Sequence, residues 1–278
     1  MGITSHVDER GIAEVVMDNP PVNALNVAGW FELAHIIRRL GDDQSVRVVV
    51  LRAEGRGFNA GVDIKEMQAT EGYQALIGAN RGCYEAFAAV YDCKVPVIAA
   101  VNGFCVGGGI GLIGNADVIV AADDATFGLP EVDRGALGAA THLSRLVPQH
   151  KMRAMVYTSA TATAQELHAF GSVLRVVPQA ELRDAAFEVA DQIAAKSPTV
   201  IRAANYTGKT TLLYGLTWAL FGDAGLPVAA RRRDTYRLHP IDWDVEADGR
   251  DVNVEVEVGL TVLDESTGLK VDYTLVRY

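Results

Sequence analysis

The sequence predicts an α/β body with parallel strand pairing, followed from about residue 205 by a tail of different build. Three observations carry this. VRVVVLRAEG (46–55) and VPVIAAVNGF (95–104) are β-branched and apolar runs that read as buried strands. Helical patterns separate these runs, and a strand, a crossover helix and a further strand pair in parallel. From residue 251 the pattern switches to valines alternating with polar residues, the period of a half-buried strand.

The elements follow in order. GIAEVVM (11–17) is a short strand, and DNPPVNALN turns the chain into a helix start. Trp30, Leu33, Ala34, Ile37 and Leu40 then fall at helical spacing. The strand at 46–55 precedes a glycine-rich turn, and 74–92 reads as a helix. After the strand at 95–104, GGGIGLIGNA opens another helix. DVIVAADDATFGLPEV (117–132) gives two short strands with a tight turn between them, and 165–170 and 179–196 carry helical patterns.

Composition narrows the function. The chain has 278 residues, 49 % of them hydrophobic, enough for one large domain or two small ones with a sizeable core. A net charge of −10 argues against a nucleic-acid surface, and the short run Arg231-Arg232-Arg233 reads as a solvated turn. The N-terminus lacks a signal-peptide pattern, and no apolar run reaches the ~18 residues that suggest a membrane span. Cys83, Cys93 and Cys105 have neither metal-ligand spacing nor an even count for disulfides. They read as small buried apolar residues in a reduced, cytoplasmic protein, with no metal site.

Two stretches carry chemistry. GRGFNAGVDIKEM (55–67) and VNGFCVGGGIGLIGNA (101–116) are each a small-residue turn leaving a strand and entering a helix. Such turns leave backbone N–H groups unpaired. Two of them converging on one oxygen form an oxyanion hole.

In combination these residues resemble the crotonase superfamily, the enoyl-CoA hydratase/isomerase family. The matching positions are Phe58 to Asp63, Asn102-Gly103, Gly107-Gly108-Gly109, Asp117 and Phe127 to Glu131, and the resemblance covers residues 3–204. It implies a crotonase-like spiral of ββα units and a CoA-ester-binding domain over 1–204. By the family pattern the amides of Val62 and Gly108 grip the thioester oxygen of an acyl-CoA. Ala60, Asp63 and Ile64 lie along the CoA-binding loop, and Phe104, Gly107 and Pro130 join the substrate site. Asp63 reads as a helix cap rather than a catalyst. No cofactor is implied, since coenzyme A arrives as part of the substrate, and the family assembles as a homotrimer or hexamer.

Within the family, RAEGRGFNAGVDIKEMQ, VNGFCVGGGIGL and RGALGAATHLSRLVPQH are similar to the actinobacterial hydrolases of cholesterol breakdown, which open a ring of a bicyclic steroid-derived CoA ester. A family hydratase uses two glutamates around one water. Here the first position is Gly111 and the second is Glu131. A single carboxylate does not readily divide proton delivery and water activation as a pair does, which disfavours simple hydration. The reading is that Glu131 with His142 activates a water for attack on a ring ketone. Asp117 and Arg134 receive no role.

The tail, 205–278, suggests a helix at about 208–222 and a hairpin at about 251–278 turning at DESTG (264–268). It resembles an N-terminal fragment of Rad50/SMC-type or DNA-sulfur-modification ATPases, with Gly208-Lys209-Thr210 at the phosphate-loop position. Ala203 and Tyr206 replace loop glycines, and KSPTVIRAA reads as a helix where a phosphate loop needs a strand. The expectation is two sequences joined near 204, the tail standing where the family's C-terminal helices would be. The alternatives to a CoA-thioester hydrolase are an enoyl-CoA hydratase or isomerase, a nucleotide-binding module and an inactive fusion.

Overall fold

A computed structural model describes residues 2–136, 138–208, 256–263 and 270–277. Contacts divide the chain into two compact units, Met1–Asn205 and Tyr206–Tyr278.

The first unit opens with β1 (Gly2–Val7) and β2 (Ile12–Asp18), then α1 (Val27–Asp42) and β3 (Val48–Ala53). Next come α2 (Ile64–Ala69), α3 (Gln74–Tyr91), β4 (Val97–Val101), β5 (Phe104–Val106) and α4 (Gly108–Ile113). The chain continues through β6 (Val118–Ala122), β7 (Thr126–Gly128), a 3₁₀ turn at Pro130–Arg134, α5 (Ala140–Leu143) and α6 (Gln149–Thr158). It closes with β8 (Thr161–Thr163), α7 (Ala164–Ala169), β9 (Arg175–Val177), α8 (Leu182–Ala194) and α9 (Pro198–Gly208), whose last three residues fall in the second unit.

Two sheets organise the unit. The larger runs β1-β2-β3-β4-β6-β9 and is parallel apart from the β1–β2 pair. The smaller runs β5-β7-β8. Each ββα turn places one strand in each sheet: β4 then β5, β6 then β7. Two isolated parallel bridges, Leu25↔Val62 and Asn59↔Cys105, repeat the pattern in the earlier turns. This is the spiral that the family resemblance implies.

The sequence read 95–104 as one strand, and the structure divides it. At Gly103, φ is +56° and an added Cβ would collide with the Arg56 carbonyl, so the backbone leaves one sheet for the other at a residue only glycine satisfies. The two short strands expected within 117–132 are β6 and β7, and they belong to different sheets. β1 escaped the sequence reading because GITSHV buries little of its length.

The core grows from the residues that marked the elements. Trp30, Leu33, Ala34, Ile37 and Leu40 form the buried stripe of α1, capped by Asn26 Oδ1, which accepts from Gly29 N at 2.8 Å. β4 is buried along its whole length, as a central parallel strand should be. The start of α9 is tied to the body: Arg202 Nη1 donates to Gly41 O at 2.9 Å, and Asn205 Nδ2 to Cys93 O at 2.7 Å. Burial pushes the Cys83 thiol up to about 12 and that of Cys105 well above its ordinary value, which keeps both from acting as thiolates.

In the second unit, β10 (Val256–Leu263) and β11 (Lys270–Arg277) pair antiparallel, from Val256↔Arg277 to Leu263↔Lys270. The helix expected at 208–222 lies outside the described residues apart from Gly208, which ends α9. No helix among the described residues is long and apolar enough to cross a membrane.

Candidate active site

The first loop, Gly57–Asp63, is braced by Asn59. That side chain is fully buried; Nδ2 donates to Asn23 O at 2.6 Å and Oδ1 accepts from Gly61 N at 2.8 Å. The Leu25↔Val62 bridge is made by Val62's neighbours: Leu25 N donates to Gly61 O, and Asp63 N donates to Leu25 O. In a parallel bridge that pattern turns the N–H of the bridged residue itself away from its partner strand. Val62 N–H therefore faces away from Leu25.

The second loop meets the first there. Gly107, with φ +59°, precedes α4, and Gly108 is the first residue of that helix, so its N–H has no acceptor within the helix. A Cβ on Gly61 would stand 3.0 Å from Gly108 N, and one on Gly108 would stand 3.2 Å from Gly61 Cα and 2.7 Å from the Trp30 ring. The two backbones pass at a separation that admits no side chain. This juxtaposes the two turns that the sequence singled out.

Glu131 follows Pro130 in the 3₁₀ turn after β7. A Cβ on Gly107 would lie 3.0 Å from Glu131 Oε1, which places the carboxyl at the mouth of the second loop. Gly138 closes the other side, where an added Cβ would lie 2.6 Å from the carboxyl carbon. Oε2 is buried without a hydrogen-bond partner. Burial raises the pKa of this carboxyl above its ordinary value. A poorly solvated, unpaired carboxylate is a strong proton acceptor.

The remaining candidates take varied places. Asp63 caps α2, accepting from Lys65 N at 2.9 Å, as its type predicts. Ile64 begins that helix and is 58 % exposed; Ala60 is half-buried and Pro130 exposed. Phe104 lies on β5 with its ring against Gly57, where a Cβ would come within 2.7 Å. Asp117 Oδ2 accepts from Val97 N at 2.8 Å, a structural contact between turns, and Arg134 is exposed.

His142 sits in α5, half-buried. Its Nδ1 is 3.1 Å from Asn115 Nδ2, and its ring meets Phe87 edge-on at 5.1 Å. Among the described residues no hydrogen bond joins it to Glu131. Burial, followed by the Arg145 charge, holds its pKa below the ordinary value.

Position 111 is occupied from outside. A Cβ on Gly111 would collide with the edge of the Phe87 ring, 2.1 Å from Cζ. Phe87 in turn packs edge-on against Trp30 at 5.8 Å. Sequence reasoning missed Phe87, Asn115 and Arg145; their positions in chain order give no signal, since only the packing of α3, α4 and α5 brings them together. Lys209 and Thr210 lie outside the described residues, while Asn205 to Gly208 are helical where a phosphate loop needs an open turn.

The family model for enoyl-CoA hydratase/isomerase matches residues 8–217, across both glycine turns and Glu131. The chain belongs to the enoyl-CoA hydratase/isomerase family. It is 68 % identical over 204 residues to the (7aS)-7a-methyl-1,5-dioxo-2,3,5,6,7,7a-hexahydro-1H-indene-carboxyl-CoA hydrolase of Rhodococcus jostii, covering 73 % of this chain and 79 % of that protein. The Mycobacterium tuberculosis hydrolase of the same name is 66 % identical over 204 residues, covering 73 % and 83 %. An enoyl-CoA hydratase structure from Mycobacterium smegmatis superposes with a TM-score of 0.70 at 30 % identity, covering 82 % of this chain and 86 % of that one. The family match runs past the join placed near 204.

Against the family's two-glutamate hydratases, the filled space at position 111 has a measurable consequence. Gly111→Glu is expected to lower stability by about 2 kcal/mol or more, because the added side chain must displace Phe87 from a packed interior. A urea midpoint close to that of the parent protein would show that Phe87 yields freely. The variant should gain no crotonyl-CoA hydration.

Proposed function

We propose that this family member is a hydrolase of a bicyclic, ketone-bearing acyl-CoA, and that it opens a ring by C–C cleavage. The observation that carries the reading is Glu131: one half-buried carboxylate with a buried, unpaired oxygen, set beside two facing glycine turns, with the first carboxylate position filled by Phe87. The high identity to hydrolases named for a dioxo-hexahydroindene carboxyl-CoA supports the acyl group.

The chemistry follows from that arrangement. Glu131 takes a proton from water, and the hydroxide adds to a ring carbonyl in the β position to the thioester. As the carbonyl re-forms, the ring C–C bond breaks and its electron pair moves into the thioester. The resulting enolate oxygen lies between the Val62 and Gly108 amides, which stabilise developing charge without reorganising. Proton return to the carbanion carbon completes the addition of one water: a ketone becomes a carboxylic acid and a C–H bond. From the β position the electrons reach the thioester oxygen directly, and a position conjugated to it through a C=C bond serves in the same way. No resident cofactor enters this scheme. The family's homotrimer or hexamer and a cytoplasmic setting remain part of the proposal.

The test is turnover by the purified full chain. A bicyclic β-keto CoA thioester should gain one water as a new carboxylic acid, with crotonyl-CoA left unchanged. Hydration of crotonyl-CoA with no β-keto cleavage would reverse the reading in favour of a hydratase. The tail, of which the family match reaches residue 217, is proposed to have no useful ATP affinity. Titration with labelled ATP and magnesium checks this, and saturable micromolar binding abolished by Lys209→Ala would overturn it.

A further inference from the structure

We propose that Arg145 and Asn115 are positioning residues that hold His142 as a neutral imidazole with its proton on Nε2. His142 then serves as a hydrogen-bond donor and not as the base that takes a proton from water.

The argument turns on one buried amide. Asn115 Oδ1 accepts a hydrogen bond from Arg145 Nη1. Asn115 Nδ2 lies 2.7 Å from Gly111 O and 3.1 Å from His142 Nδ1. A guanidinium only donates, and a backbone carbonyl only accepts. Both neighbours therefore fix the amide in the same orientation. Turned over, it would set oxygen against the Gly111 carbonyl and N–H against the guanidinium. With Nδ2 fixed as the donor, one hydrogen serves Gly111 O and the other serves His142 Nδ1. That ring nitrogen must then carry a lone pair, and the single proton of the neutral ring sits on Nε2.

The neighbours keep this state in place. Arg145 is itself held, donating to Gly114 O at 3.2 Å with its guanidinium carbon 5.1 Å from the Tyr91 ring centroid. Its charge is the one that acts on His142, from the same segment; α3 presents Phe87 and the end of α4 presents Asn115, both uncharged. Protonating Nδ1 would point N–H at N–H and add a cation near Arg145. Through Asn115 the ring is also tied to Gly111, the position at which a hydratase of this family would carry its first glutamate. A neutral donor is thus linked to the position of an absent carboxylate.

The tautomer follows from the geometry alone. Its use rests on the hydrolase reading: an Nε2–H that donates to an oxygen of the acyl group, with water activation left to Glu131. The two parts are tested separately. Proton–nitrogen NMR of the ¹⁵N-histidine-labelled full chain needs no substrate, and the His142 signals are those missing in His142→Gln. A protonated Nε2 and an unprotonated Nδ1 at neutral pH are expected; an Nδ1–H tautomer or an imidazolium there would overturn the proposal. Asn115→Asp, whose carboxylate accepts from both Arg145 and Nδ1, should move the proton to Nδ1 and raise the His142 titration. An unchanged tautomer would remove Asn115 as the positioning residue. If that variant does not fold, the parent spectrum still decides the tautomer. On a β-keto thioester, His142→Phe should lower kcat by about 10²-fold, as for loss of one preorganised donor, and His142→Gln by less. Equal kcat in Phe and parent proteins would end the donor role. A chain with no such turnover would fail the hydrolase reading and leave the tautomer result standing.

Discussion

Replacing Glu131 by Gln is expected to lower kcat on a β-keto CoA thioester by about 10²–10⁴-fold, the range for loss of a positioned base. Affinity for coenzyme A should scarcely change, because the carboxyl lies against Gly107 and Gly138 and makes no hydrogen bond through Oε2 that a ligand-free enzyme would miss. The same substitution should stabilise the protein at neutral pH. Burial raises the folded-state pKa of this carboxyl above that of the unfolded chain. The proton is thus held more tightly when folded. The associated stability is fully present below the ordinary carboxylate pKa and is lost as pH rises through the raised value. Gln carries no charge and escapes that loss. Melting curves of the two proteins should converge in acid and separate at neutral pH, with the Gln form higher. The parent enzyme's kcat should rise with pH through the raised Glu131 value, since the base works only when deprotonated, and this limb should vanish in the variant. Unchanged turnover would take Glu131 out of the mechanism; unchanged melting at neutral pH would show that its burial costs nothing.

The second large effect is expected of Gly108→Ala. One methyl group is added, yet it would stand 2.7 Å from the ring of the fully buried Trp30 and 3.2 Å from Gly61 Cα. Neither neighbour has room to retreat, so the backbone of Gly108 must move, and its amide with it. Misplacing one oxyanion donor costs about 10²–10³-fold in kcat. The loss should appear in kcat more than in KM, because in the proposed mechanism the amide binds the enolate more tightly than the ground-state carbonyl. Trp30→Leu in the same chain removes the obstructing ring and should recover part of the rate. Full activity of Gly108→Ala alone would place the thioester oxygen elsewhere.

Much of the architecture was legible in the chain. The apolar stripe of α1 marks a helix whichever partner it meets, and the β-branched runs at 46–55 and 95–104 mark buried strands because few other structures bury such residues on both faces. The glycine turns were also visible, since a backbone that must approach another backbone leaves glycine in the sequence, whereas Glu131 was singled out only through the family resemblance. The division of 95–104 between two sheets was not, because Asn102-Gly103 reads as part of an apolar run until Arg56 is seen to crowd it.

The sequence by itself determined the layout of alternating strands and helices, the family, and the absence of a glutamate at position 111. What fills that position, and which proton His142 carries, were decided only by the tertiary structure. Phe87 comes from α3, and Asn115 and Arg145 flank α5 from either side in the chain; their meeting depends on how three helices pack. A side chain's volume can be read from its letter, but the space it occupies and the hydrogen-bond partner it faces are set by contacts between residues distant in sequence.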